Sequence, residues 1–332
     1  VSAPRVLRDR PSQYAGDVRD LPRVAQVQVA LRDELKPPLP PKPFGPVTDT
    51  AVQTTLPRAP APAAAVFGGI SRVAYGIPYW PPDTTIDVGP DHVIEATNTN
   101  WAIFDKATRQ QVATNTFDAL ISGTGTACDE NNAGDPVVLY DSIADRWILT
   151  DFAFADPYRT TGPFYECLAV SKTGDPVSGG WWFYAFETGQ SPTGVTPANR
   201  NYFPDYPKLA VWPDGIYLTA NLFAADGSWS NARLVAFNRS ALEAGATSSA
   251  IAIDLPATSG NLLPADARVQ TGLPAAGTPN YVTEIWTTGS LKMWKFHVDW
   301  TTPANSSVTV AGSPTEINVT PFAFAADRAP AK

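Results

Sequence analysis

Four times between His92 and Trp300 a short apolar run is followed by a polar link of three to six residues and then by a second apolar run. His92–Thr97 precedes Trp101–Phe104, Val137–Tyr140 precedes Trp147–Phe152, Lys208–Trp212 precedes Ile216–Phe223, and Tyr281–Trp286 precedes Leu291–Trp300. Runs this short, rich in Val, Ile, Tyr, Phe and Trp and bounded by Asp, Asn, Gly and Pro, read as paired strands rather than helices. The link Pro213-Asp214-Gly215 is the strongest hairpin signal, because Asp-Gly accepts the positive φ of a tight turn.

All ten tryptophans lie between Trp80 and Trp300, which marks the folded body. Inside it an aromatic residue followed by Asp or Asn and a short link containing Ala recurs at Phe104–Ala107, Tyr140–Ala144 and Phe237–Ala241. Gly-Asp-Pro occurs at 134–136 and again at 174–176. Repeated small antiparallel sheets predict an all-β fold, a β-propeller or the N-terminal part of one, with about four blade-like units between residues 86 and 317. A two-sheet sandwich is the competing architecture, since hairpins alone do not fix how sheets stack. Four units is a small number for closing a ring, which raises the expectation that further blades come from elsewhere.

Residues 1–65 differ in kind, with twelve prolines, no Trp, and Tyr14 and Phe44 as the only aromatics. Such a segment cannot form a core alone and reads as an extended arm on a body spanning 66–332. Within the arm, Val24, Val27, Leu31 and Leu35 stand at helical spacing between Pro22 and the Pro37-Pro38 stop, which predicts one short helix. The stretch 36–46 that follows reads as a polyproline strap.

A net charge of −8 with no Lys/Arg cluster argues against nucleic acid as a partner. No apolar run approaches the ~20 residues of a membrane-spanning helix. The only two cysteines, Cys128 and Cys167, together with a single Met, fit an oxidising compartment, which predicts a Cys128–Cys167 disulfide and a secreted or periplasmic location. The sequons at Asn238, Asn305 and Asn318 read as chance occurrences.

With only His92 and His297, triads and histidine-rich metal sites lack material, and no Gly-x-Ser-x-Gly elbow occurs. Oxygen ligands are better represented. Asp129, Asn131, Asn132 and Asp135, with Glu130, crowd the loop beside Cys128, and such a loop suits Ca2+, although its spacing is not that of an EF-hand. Strand-end capping is the structural alternative for the same residues. Asp83, Asp87 and Asp91 form a second oxygen-rich group. Glycan cleavage would need two carboxylates across a cleft at ~5 to ~9.5 Å, with Asp151, Glu166, Asp205, Glu284 and Asp299 as the material. Trp80, Tyr202 and Tyr206 lie in loop contexts and are candidate platforms for the C–H faces of sugars, whereas the run Trp181–Tyr184 reads as core.

The stretch from about Phe67 to Phe322 resembles a family of exported bacterial propeller-type proteins. The motifs that carry the resemblance are Pro81-Pro-Asp-Thr84 with Asp87–His92, Gly134–Asp141 with Arg146-Trp147, Cys167–Ser171, Asp205–Lys208 with Val211–Gly215, and Trp294–Trp300. Two loops depart from the family pattern: Thr85-Ile86 stands in place of Asn-Gly, and Ala133 in place of Asp. Family members continue past the point matching Phe322, so the resemblance implies a C-terminal fragment of the same precursor as a partner that finishes the ring. Three functions follow as expectations: binding of an extracellular polysaccharide or cell-surface ligand through propeller loops, a carboxylate-dependent hydrolase or lyase acting on an extracellular polymer, or a structural protein assembled from processed fragments.

Overall fold

A computed structural model describes residues 1–22, 68–70, 83–156, 159–191, 202–268, 272–309 and 315–322. The helix and strap expected beyond Pro22 lie outside the described residues. The strands in chain order are β1 (Arg5–Asp9), β2 (Ser12–Tyr14), β3 (Thr85–Val88), β4 (His92–Thr97), β5 (Asn100–Asp105), β6 (Gln111–Thr116), β7 (Val137–Asp141), β8 (Arg146–Ala153), β9 (Tyr165–Ser171) and β10 (Trp181–Glu187). They continue with β11 (Phe203–Trp212), β12 (Gly215–Phe223), β13 (Trp229–Phe237), β14 (Ser248–Asp254), β15 (Leu263–Pro264), β16 (Asn280–Thr287), β17 (Ser290–His297), β18 (Ser307–Val308) and β19 (Thr315–Asn318). Two short helices, α1 (Phe117–Leu120) and α2 (Arg239–Glu243), sit in connections.

These strands form four antiparallel sheets taken in chain order, the arrangement of a β-propeller. The first sheet runs β3-β4-β5-β6, the second β7-β8-β9-β10, the third β11-β12-β13-β14, and the fourth β15-β16-β17 with β18 and β19 both on the far edge of β17. All four hairpins expected from sequence are present. The N-terminal residues depart from the expected arm. β1 pairs with β14 and β2 with β10, so they become the outermost strands of the third and second sheets. An outer edge strand exposes a row of unpaired N–H and C=O groups, and an added strand satisfies them.

The innermost strands follow one another, β3 beside β7, β7 beside β11, and β11 beside β15. On the side of β7 that faces β3, two β3 side chains take the place of a ladder: Thr85 Oγ1 accepts the Val138 N–H at 3.4 Å and Asp87 Oδ2 accepts the Tyr140 N–H at 2.6 Å. After β15 the chain touches β11 and β3. The Ala267 N–H donates to Val211 O at 2.8 Å, and Arg268 forms an ion pair with Asp87. An ion pair thus joins the segment after the innermost strand of the fourth sheet to the first sheet.

Alternation of side chains places three apolar layers between consecutive sheets. Ile94, Ala96, Trp101 and Ile103 meet Val138, Trp147, Leu149, Ala169 and Phe183 between the first and second sheets. Leu139, Ile148, Leu168, Val170 and Tyr184 meet Leu209, Val211, Leu218 and Val235 between the second and third. Tyr217, Leu234 and Ile251 meet Val282, Trp294 and Phe296 between the third and fourth. Trp181, Phe183 and Tyr184 are buried, as the core reading required.

Two local readings change. The turn at Pro213-Asp214 pairs Trp212 with Gly215, and neither Asp214 nor Gly215 has positive φ. Glycine is needed there for space, since a Cβ on Gly215 would lie 3.0 Å from the Tyr217 ring and 3.2 Å from Phe237 O. The aromatic-Asx echo marks capped turns, because a short Asx side chain accepts N–H groups two or three residues on. One cap occurs in the connection from third to fourth strand of every sheet: Asp105 to Thr108 N at 2.7 Å, Asp175 to Val177 N at 2.8 Å, Asn238 to Ala241 N at 3.1 Å, and Asp299 to Thr301 N at 2.9 Å. The two Gly-Asp-Pro copies fall in non-equivalent places, one before β7 and the other between β9 and β10.

Candidate functional site

The end of the molecule where the innermost strands begin carries a fourfold feature that the sequence pattern did not reveal. Asp83, Asp135, Tyr206 and Asn261 have φ of 43°, 48°, 57° and 53°. Each stands two residues before regular pairing starts, at Thr85, Val137, Lys208 and Leu263. In β11 that position falls in a bulge, where the register shifts between Asp205 and Lys208. A left-handed conformation is ordinary for Asp and Asn, whose side chains bond locally, and strained for Tyr.

In the first three sheets a residue of or just past the second strand stands beside these entries at a register-equivalent position. Thr85, Val137 and Lys208 pair with Ala96, Thr150 and Thr219, and two residues further on stand Asn98, Phe152 and Asn221. Asn98 Nδ2 donates to Asp83 Oδ2 at 2.9 Å while its Oδ1 accepts the Asp135 N–H of the next sheet at 2.8 Å. Asn221 spends both groups on Asn261 of the fourth sheet, its Nδ2 donating to Asn261 Oδ1 and its Oδ1 accepting the Asn261 N–H. Phe152 instead packs edge-on to Phe203 of the third sheet, with ring centroids 5.2 Å apart.

Tyr206 is the one aromatic among these entries, and its side chain stands out from the fold at 46% exposure. Its N–H is held by its neighbour's Asp205 Oδ1 at 2.9 Å, and the Lys208 ammonium lies 3.4 Å from the ring centroid. Beside it Phe203 joins Phe154 and Phe164 in an aromatic cluster, with the Arg159 guanidinium 4.6 Å from the Phe203 centroid. Tyr202 is not a surface ring. It is 6% exposed, and its N–H donates to Gly189 O at 2.6 Å, which turns the side chain inward. Trp80 lies outside the described residues.

The disulfide Cys128–Cys167 is formed, with Cα atoms 5.8 Å apart, and ties the loop before β7 to β9. The four residues expected to hold Ca2+ are brought to that loop, where each has a backbone duty. Asp129 accepts the N–H groups of Thr124 at 2.9 Å and Gly125 at 2.8 Å and the Thr124 hydroxyl at 2.7 Å. The Asn131 N–H donates to Ala127 O at 2.9 Å, Asn132 Nδ2 donates to Thr99 O at 2.5 Å, and the Asp135 N–H is the one Asn98 holds. Among the described residues no three His, Cys, Asp or Glu side chains are grouped to hold a metal ion. Asp83, Asp87 and Asp91 are likewise parted, the first to Asn98, the second to Tyr140 and Arg268, and the third to a backbone bond from the Lys106 N–H at 2.9 Å.

Of the five carboxylates considered for catalysis, Asp151, Glu166 and Glu284 are each only 2% exposed. Asp151 accepts the Gly134 N–H at 3.0 Å, and burial, then the nearby Asp118, raises its carboxyl well above the usual range. Burial likewise pushes Glu166 up to about 8. Asp118, in the first turn of α1, is pushed up to about 6 by burial; a lone acid at a helix start gave no hint of this in the sequence. Glu284 is spent on the Gly260 N–H at 3.2 Å and the Trp294 indole at 3.3 Å. The two accessible acids lie at opposite ends of their sheets, Asp205 at the start of the inner β11 and Asp299 just past the end of β17.

The sequence matches no family model and no curated protein. Among solved structures it is similar to a candidate exo-beta-1,3-galactanase from Bifidobacterium bifidum s17, at 8% identity over 71% of this chain and 87% of that one, with a TM-score of 0.26. It is also similar to a GH43 endo-arabinanase from Bacillus licheniformis, at 10% identity over 70% of this chain and 96% of that one, with a TM-score of 0.22.

Proposed function

We propose that the protein is exported and binds an extracellular polysaccharide or cell-surface ligand at the end of the propeller where the innermost strands begin. The observation that supports this most is Tyr206, a large ring held in a left-handed bulge and left exposed although 65 apolar residues among the described ones are buried. Strain of this kind costs on the order of 1–3 kcal/mol and persists where the surroundings impose it, often at binding sites. An exposed ring offers a face to sugar C–H groups, and Lys208 and Asp205 beside it supply a donor and an acceptor for hydroxyls. The disulfide supports export, since such bonds persist in oxidising compartments.

Binding is favoured over hydrolysis or lysis because three of the five acids are closed to substrate and the other two are apart. A glycan array probed with the purified protein, backed by pulldown on isolated cell walls, tests the reading. Signal on a restricted glycan class is the expected result, and signal no higher than that of an unrelated acidic protein would overturn it. A C-terminal fragment that inserts further blades would have to part Arg268 from Asp87, and the native mass of the purified material distinguishes that assembly from a lone 35.5 kDa chain.

A further inference from the structure

We propose that Asp141 and Glu243 share one proton beneath the Arg239 guanidinium, forming a pH-sensitive latch that ties α2 to the second sheet and loosens as pH rises through neutrality. Asp141 ends β7, the innermost strand of the second sheet, and α2 lies in the connection from β13 to β14 of the third. The latch thus joins two sheets through side chains 98 positions apart in the chain, Asp141 and Arg239.

The sharing follows from a count of hydrogens. Arg239 Nε carries one N–H, which donates to Asp141 Oδ2 at 2.5 Å. Glu243 Oε1 lies 2.8 Å from the same nitrogen, yet this buried oxygen accepts no hydrogen bond. Two carboxylates therefore crowd a single donor, and the Asp141 side chain is 0% exposed. Like charges so placed cannot both ionise without a large penalty, whereas a proton on Glu243 gives it an O–H to donate to Asp141. Burial, opposed by Arg239 and reinforced by Asp141, raises the Glu243 carboxyl from 4.5 to about 7.

Other titratable groups on the elements packed around α2 have separate duties. Asp145 and Asp214 are engaged by the Tyr140 and Tyr217 hydroxyls at 2.7 and 3.0 Å, and the Lys172 ammonium donates to Gln13 at 2.6 Å. The Tyr184 hydroxyl meets the carbonyls of Leu242 and Ala246 at 3.2 and 3.0 Å. Arg146 is the second cation acting on Glu243, and its buried Nε makes no hydrogen bond. An ionised Glu243 is repelled by Asp141 and drawn to Arg146, which pulls on the end of α2. Because the fold holds this proton more tightly than the unfolded chain, the latch is complete below pH about 4.5 and is lost as pH rises towards about 7.

The test is hydrogen–deuterium exchange of the full chain at about pH 5.5 and about pH 8.5, corrected for the pH dependence of intrinsic exchange and read on the peptide covering residues 239–246. In wild type, protection of that peptide should fall about tenfold or more between the two conditions. Glu243→Gln, whose amide donates to Asp141 and does not titrate, should keep its protection at both. Undiminished protection in wild type overturns the proposal, whether or not the variant folds. So does an equal loss in Glu243→Gln, or a loss shared by all strands, which reports global unfolding.

Discussion

Asn221 holds Asn261 twice: its Oδ1 accepts the Asn261 N–H at 3.1 Å and its Nδ2 donates to Asn261 Oδ1 at 2.8 Å. A side chain on the second strand of the third sheet thereby fixes the entry of the fourth. Asn98 holds the entry of the second sheet once, through the Asp135 N–H, and its own sheet's Asp83 with its Nδ2; both asparagines are 4% exposed.

Removing that grip gives up part-buried hydrogen bonds to the entry of the next sheet. Asn221→Ala should lower stability by about 1–3 kcal/mol, and Asn98→Ala by a similar amount. Urea unfolding at constant m-value checks this. Asn221→Leu, close in size but unable to bond, should be no better than alanine.

The disulfide closes a loop of sequence separation 39. Chain-entropy arithmetic assigns such a closure about 4 kcal/mol. The double variant Cys128→Ser, Cys167→Ser should unfold at correspondingly lower denaturant, and dithiothreitol should leave it unchanged while shifting the wild type only after unfolding exposes the bond, because Cys128 and Cys167 are 4% and 1% exposed.

Glu166 gives stability a pH dependence of unusual sign. Its carboxyl is raised from 4.5 in the unfolded chain to about 8 in the fold, so the unfolded state loses its proton first. Its contribution is complete below pH about 4.5 and declines as pH rises towards about 8, at up to about 1.4 kcal/mol per unit. Urea midpoints measured from pH 5 to 9 should therefore fall with pH, and Glu166→Gln should flatten the profile and raise the midpoint at pH 8.

The strand pairs were legible in the sequence because alternation and turn residues are local, and so was the disulfide, with only two cysteines to join. The positions of β1 and β2 were not, since their partners stand more than 150 residues away and are chosen by open edges of other sheets. Tyr202 and Tyr206 looked alike as loop aromatics. They part because a bulge at Asp205–Lys208 turns the second outward while the first bonds to Gly189 and faces the core. The acidic loop reads as a cation site because sequence shows how many oxygens are present; the structure adds what one of them already accepts, as with Asp129 and its three donors.

Strain at Tyr206 separates stability from binding. Glycine adopts the observed φ of 57° at no steric cost, so Tyr206→Gly should keep or raise the unfolding midpoint, by up to about 1 kcal/mol.

That variant also carries the most direct test of the proposed site: wild type and Tyr206→Gly compared side by side on one array of extracellular polysaccharides. The account predicts that wild type binds a restricted class and that the variant, equally well folded, loses at least about tenfold in affinity for that class, about 1.4 kcal/mol. Undiminished binding by Tyr206→Gly, or no binding by wild type, would contradict it.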